Sequence, residues 1–228
     1  MAIVKTIFTA QTLAAQAAEL LAYLQANADE YFDTISADGD GNISCYVGET
    51  LALKIGMDGT TTRQVTLANG QNISLIADSS TTTLTRSILF SYAKKTANGV
   101  MLVTNNTKCL GADTGPTVFI ITQNELGDTC ICGRIQNSTT SNKYISAFCA
   151  DIKNDATIFK PLTESNLAGL SALSKESPVT ATTAIIFSGG HYAPKAFFNT
   201  FSQFALTQCD ININGKSYAS DGVMMISD

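Results

Sequence analysis

Charge is scarce in this chain of 228 residues: 14 % of its positions are Asp, Glu, Lys or Arg, against roughly one quarter in ordinary soluble domains. Thr, Ser, Asn and Gly make up the difference. So sparsely ionised an exterior resists association poorly, and the expectation is a surface covered in part by copies of itself or by neighbours. The basic residues form no cluster and the net charge is −5. That argues against nucleic acid, because neutralising phosphates needs concentrated positive charge. No apolar stretch approaches the roughly 20 residues that cross a bilayer, so membrane insertion is not expected. The opening MAIVKTIFTAQT has only a short apolar run before polar residues, which is not the pattern of a secretory signal; the expectation is a chain made and folded in a cytoplasm. Internal repeats, heptads and a Pro-rich linker are missing too, which disfavours a solenoid or a coiled-coil fibre.

What is present is one strong helical pattern followed by strands and turns. In the segment from about Thr12 to Asn27, Leu13, Ala17, Leu20 and Leu24, continued by Tyr31, recur on one stripe of a 3.6-residue period. Ala14, Ala15, Ala18 and Ala22 favour helix intrinsically, and Thr9 or Thr12 can cap its first turn. The helical pattern stops between Asn27 and Phe32. Before it, residues 2–8 are β-branched and apolar enough for an opening strand. After it, Ile43 to Ile55 alternates, with Gly48 read as a bulge or bend.

Asn69-Gly70, Asn98-Gly99 and Asn214-Gly215 each sit between alternating runs, the signature of tight antiparallel hairpins. Thr117–Gln123, Thr129–Gln136 and Lys143–Ala150 are further strand candidates between polar loops. Ser217 to Ile226 reads as one strand, residues 151–179 as a connection, and Thr183–Phe187 as a return to β pattern. The aromatic residues Tyr192, Phe197, Phe198, Phe201 and Phe204 are expected to fill the core or an intersubunit seam. The fold class is therefore mainly β with one long N-terminal helix (α+β), an antiparallel, hairpin-rich body of β-sandwich or jelly-roll type. One compact domain is expected, with a strand-helix-strand element over 1–56 packed on a β body over 57–228.

The residues that could carry chemistry do not assemble into a motif. Cys45, Cys109, Cys130, Cys132, Cys149 and Cys209 are scattered, so buried free thiols are the expectation; the spacing of Cys130 and Cys132 suits neither a redox pair nor a zinc ribbon. Asp38-Gly39-Asp40-Gly41-Asn42 with Glu49 matches a calcium loop at four positions, but Ile43 stands where that loop needs glycine, and a strand pattern follows where a helix is required. A polar helix-to-strand turn explains the same residues. Gly215-Lys216-Ser217 resembles the end of a phosphate loop without its upstream glycine. His191 near Ser188 has no assignable acid, and no nucleophile elbow surrounds the serine. Asp128, Asp151, Asp155 and Glu164 would act as glycosidase carboxylates only if the fold set two at the working separation. The Asn-X-Ser/Thr triplets at Asn42, Asn72, Asn105 and Asn137 are chance matches in a chain rich in these residues. No catalytic residue, cofactor site or metal site is assigned.

Tyr23-Leu24-Gln25-Ala26-Asn27 leading to Tyr31-Phe32-Asp33, then Gly41-Asn42-Ile43-Ser44-Cys45-Tyr46-Val47-Gly48, and a terminal hairpin with Asn214-Gly215-Lys216-Ser217-Tyr218 and Asp221-Gly222, together set the resemblance. On these the chain resembles a loose group of small virion proteins, often tail-associated, of bacteriophages and prophages of anaerobic Gram-positive bacteria. The resemblance implies a non-enzymatic structural protein located in the virion, β-rich and self-assembling, expected as a homotrimer in a tail or fibre. Its partners would be itself, other virion proteins and a host-surface glycan. A capsid decoration or head-fibre protein is the alternative within that class. Outside it stands a carbohydrate-binding or glycan-cleaving domain, which would use loop aromatics such as Tyr144 or Tyr192 with a carboxylate pair.

Overall fold

The computed structural model describes residues 2–10, 12–56, 62–68, 70, 72–77, 90–104, 108–109, 112–113, 118–138, 143–153, 156–162, 183–184, 195–198, 210–213, 215–221 and 224–228. Strand β1 (Val4–Ile7) opens the chain, and helix α1 (Leu13–Asn27) follows. The helix starts where Thr12, extended at φ −120°, accepts a hydrogen bond from the Ala15 amide at 3.3 Å. That bond satisfies one amide the first turn leaves open. Glu19 reaches back from the second turn and accepts from the Thr9 and Ala10 amides at 3.1 and 3.0 Å, tying the strand-to-helix link to the helix. At the other end Ala28 caps the helix and Asn27 Nδ2 donates to the Tyr23 carbonyl. Ala17, Leu20, Leu24 and, beyond the cap, Tyr31 are buried, as the stripe predicts, while the side chain of Leu13, its first member, lies outside the described residues.

Strands β2 (Thr34–Ala37), β3 (Ile43–Val47), β4 (Thr50–Ile55), β5 (Thr62–Leu67) and β6 (Asn72–Ala77) form one antiparallel sheet in chain order. The polar segment at Asp38 therefore joins two strands, β2 and β3, and not helix to strand as expected. Gly48 also differs from expectation: at φ +57° it sits in the tight turn between β3 and β4. The register shift lies earlier, between Cys45 and Tyr46. A division at 56/57 falls between β4 and β5, which are neighbours in this sheet.

Next come β7 (Phe90–Thr96), β8 (Gly99–Thr104), a two-residue ladder of β9 (Lys108–Cys109) with β10 (Ala112–Asp113), then β11 (Val118–Gln123), β12 (Thr129–Ser138), β13 (Lys143–Asp151) and β14 (Ala156–Leu162). The large sheet runs β1-β7-β8-β11-β12-β13-β14, antiparallel throughout. β14 lies inside the stretch expected as a connection; its Pro161 and lack of strict alternation hid a strand at a sheet edge, where proline is tolerated. The last group is β15 (Thr183–Ala184), β16 (Ala196–Phe198), β17 (Ile211–Ile213), β18 (Lys216–Ser220) and β19 (Met224–Ser227), ordered β15-β16-β19-β18-β17. The run expected as a single strand from Ser217 is thus two strands folded back on each other, Tyr218 facing Ser227. Asp221 turns the chain between them, its carboxylate accepting from the Met224 amide at 2.7 Å.

The seven-stranded sheet lies between two covers. Val100, Leu102, Phe119, Ile121, Ile131, Phe148 and Ala150 share one core with α1 and the β2–β6 sheet. The residues that alternate with them, Met101, Val103, Val118, Ile120, Cys130, Cys132 and Cys149, share a second core with Ala219, Met224 and Ile226. Burial on both faces explains why these strands read as unbroken apolar runs and not as alternation. The chain is mainly β, in antiparallel sheets with one helix, as expected; with the larger sheet lying between two layers, the two-sheet sandwich or jelly-roll detail is not confirmed.

The hairpins at Gly70 and Gly215 form as expected, with φ +78° and +81°; Asn69 and Asn214 lie outside the described residues. The third differs in detail. Thr96 pairs with Gly99, so Ala97 and Asn98 make the turn and Gly99 already belongs to β8. Glycine is required there for space: a Cβ would run into the Ile121 carbonyl oxygen and come 2.5 Å from Ile226 Cδ1.

Candidate functional site

The calcium-like loop is closed by its own side chains. Asp38 Oδ1 accepts from the Asp40 and Asn42 amides at 3.0 and 2.9 Å, and Oδ2 accepts from Asn42 Nδ2 at 2.9 Å. The Asn42 side chain, then its amide, hold the Asp38 carboxyl below the usual carboxylate range. Glu49 falls in the next turn, between β3 and β4. Among the described residues no group of three or more His, Cys, Asp or Glu is placed to hold a metal. Gly215-Lys216-Ser217 is a hairpin turn running into β18, with no helix to receive a phosphate.

Two of the four candidate carboxylates come to one corner. Asp128 begins the approach to β12, Asp151 ends β13 opposite Cys130, and both lie close enough to raise the Cys130 thiol and the Lys153 ammonium electrostatically. Lys153 Nζ closes on Asp128 Oδ1 at 2.9 Å. Asn124 Oδ1 accepts from the Leu126 and Asp128 amides at 2.9 and 3.0 Å and so builds the β11–β12 turn that sets the corner. Burial, the largest cause, pushes the Cys130 thiol up to about 12, so it is a protonated thiol at neutral pH and no nucleophile. The Cys45 thiol is pushed up to about 12 by burial alone. Asp155, Glu164, Ser188, His191, Tyr192, Phe201, Phe204 and Cys209 lie outside the described residues, as do the side chains of Cys109, Tyr144, Phe197 and Phe198.

The expectation of free thiols fails at one pair. Cys132 and Cys149 face each other in register across β12 and β13, with Cα atoms 4.1 Å apart, and are joined as a disulfide. Direct cross-strand neighbours with this close spacing present their Cβ atoms to each other. Sequence spacing cannot show this because the pairing depends on strand register. Cys45 and Cys130 remain free and buried.

Sequence reasoning also missed Lys94. It is 1 % exposed, and its ammonium donates to Asp210 Oδ1 and to the Ser220 carbonyl, both at 2.6 Å. It thereby pins the β15–β19 sheet to the middle sheet, helped by Asn98 Nδ2 on Ser227 Oγ at 3.0 Å and the Ala97 amide on Asp228 Oδ1 at 3.1 Å. The available signal was parity with Tyr92, which shares a face of β7 with Lys94; Phe90 lies on the other face, across the register shift that separates it from Tyr92. On the opposite face Lys95 bonds Glu30 at 2.6 Å and lies 5.3 Å from the centroid of Tyr31, joining β7 to the end of α1. Burial, then Glu30, raises the Tyr31 phenol.

No known family, curated protein or solved structure matches the chain. Among the described residues no helix is long and apolar enough to cross a membrane.

Proposed function

We propose that this chain is a non-enzymatic structural component of a bacteriophage particle, associated with the tail or a fibre, that works by self-association and by contact with other particle proteins. The observation that supports it most is how the ionisable groups are spent. Lys94 with Asp210, Lys95 with Glu30, Lys153 with Asp128 and Asp38 with Asn42 each hold two pieces of backbone together. Groups placed to fix strands against one another serve rigidity, whereas hydrolysis or group transfer needs them converging on an accessible reacting atom. The low charge fraction of 14 % favours the same reading, since little electrostatic repulsion opposes packing of copies.

Purified particles carrying this gene product provide the test. Peptide mass spectrometry should find the chain in many copies per particle, and labelled antibody should place it on the tail or fibre; antibody on the head would move it to the decoration or head-fibre alternative. Absence from particles, together with release of sugar from a host-surface polysaccharide, would replace this reading with a glycan-cleaving one.

A further inference from the structure

The middle sheet has an unguarded edge. β1 is its terminal strand, and among the described strands none lies on the far side of it. Val4 is 55 % exposed and Ile7 63 %, two of the three exposed large apolar residues among the described ones. They project to opposite faces, so the two covering layers stop short of this strand. Edges are normally protected by proline, a bulge or outward-reaching charge. β1 has no proline, an unbroken register against β7, and one charge, Lys5, whose ammonium folds back to 4.5 Å from the centroid of Tyr92.

The backbone phase of that edge is fixed. The Phe8 amide donates to the Ser91 carbonyl at 3.1 Å, so Phe8, and with it Thr6 and Val4, turn their backbone groups toward β7. By the two-residue period, Lys5 and Ile7 turn theirs outward. A two-fold antiparallel partner can then meet β1 in few registers. Centring on Lys5 sets Lys5 against its own copy, a like-charge apposition. Centring on Thr6 sets Lys5 against Ile7 of the other copy twice over, forms both outward hydrogen-bonded pairs, and places Thr6 beside Thr6, a favourable cross-strand pair.

We propose that β1 is a self-pairing edge: two copies of this chain join β1 to β1 antiparallel about Thr6, making one continuous sheet across the two molecules. The site is the interface in the self-association reading above, and it specifies pairing by twos where the resemblance implies threes. The chemistry that recognises the partner is main-chain hydrogen bonding, with Lys5 and Ile7 setting the register.

The experiment is sedimentation equilibrium of the full chain and of substitutions at Ile7, each checked for unchanged circular dichroism. Wild type is expected to be a dimer or an even-numbered assembly. Ile7→Lys opposes Lys5 of the other copy and weakens pairing about tenfold, while Ile7→Glu meets that lysine and tightens it by about threefold. Ile7→Pro removes an outward amide without touching the β7 ladder and should abolish pairing. Thr6→Cys should cross-link two chains under oxidised glutathione, where wild type does not. A wild-type assembly indifferent to all three Ile7 changes would overturn the edge while leaving self-association intact. A strict monomer that is also missing from particles would overturn both.

Discussion

The two faces of the middle sheet are closed by different means. Toward α1 and the β2–β6 sheet the contact is large and apolar: Phe90, Phe119, Phe148, Leu20, Leu24, Ile43 and Leu53 are all buried, and the Phe119 and Phe148 rings meet at 5.8 Å. Toward the β15–β19 sheet the apolar core among the described residues is smaller, made of sulfur-bearing and aliphatic side chains with one aromatic, Tyr92, and its rim is polar, with Lys94 bridging Asp210 and the Ser220 carbonyl. Burial of aromatic surface is non-directional and hard to undo piecemeal. A buried lysine depends on a few oriented partners, and losing one leaves an ion poorly compensated. The second cover should therefore open at lower cost than the first, and perturbing each face separately tests this.

Phe148→Ala should have the largest effect. Truncating a buried aromatic costs about 3–5 kcal/mol, and denaturant unfolding should show the whole chain losing stability, since the ring also occupies the space a Cβ on Gly133 would need. Asp210→Ala comes next, at about 1–3 kcal/mol, below the full cost of breaking a buried pair because Asp210 is 42 % exposed while Lys94 is 1 %. Its more telling readout is local. Alkylation at pH 8 should reach Cys130, under the loosened cover, well before Cys45, which lies on the other face. Equal protection of the two thiols in that variant would erase the difference between the faces. Lys94→Met should cost less than Asp210→Ala, because it removes the ion along with its need for a partner.

Thr12→Ala should cost about 1 kcal/mol, through loss of the cap on α1, and should unfold with the first face. The smallest effect is at Asp38. Its folded-state carboxyl lies below the usual range, first because Asn42 donates to it. Its contribution is thus complete above the unfolded carboxylate range, roughly pH 4, and is lost as pH falls through the lower folded value. Stability of Asp38→Asn measured down the acid limb should lack that part of the wild-type slope; an unchanged slope would remove Asp38 from the turn's energetics.

Local pattern carried the elements whose causes are local. The Thr12 cap, the Ala17-Leu20-Leu24 stripe and the tight turns at Gly70 and Gly215 depend on residues within a few positions of one another, and the chain displays them openly. What depended on register or on distant partners was hidden. Cys132 meets Cys149 because the β12–β13 ladder aligns them, and nothing in their spacing fixes that alignment. Lys94 reads as an ordinary surface lysine until Asp210 is brought to it. Gly99 reads as a turn glycine because asparagine precedes it, while the physical demand there is for room beside Ile226. The third tier was hidden because a strand buried on both faces loses the alternation by which a two-sheet arrangement is recognised. Asp128 and Asp151 stood among four scattered candidate carboxylates, and neither their meeting at one corner nor the lysine that pairs with Asp128 was legible.

The pairing of Val4 with Lys95 sets an order of events during synthesis. Strand β1 has no sheet to join until β7 has been made, whereas β11, β12 and β13 can zip together as each appears, being consecutive neighbours. Strand β1, with the helix behind it, must wait unpaired by β7 through the making of the entire β2–β6 layer. A pause or truncation upstream of Phe90 would thus release a chain whose leading strand is still looking for its place.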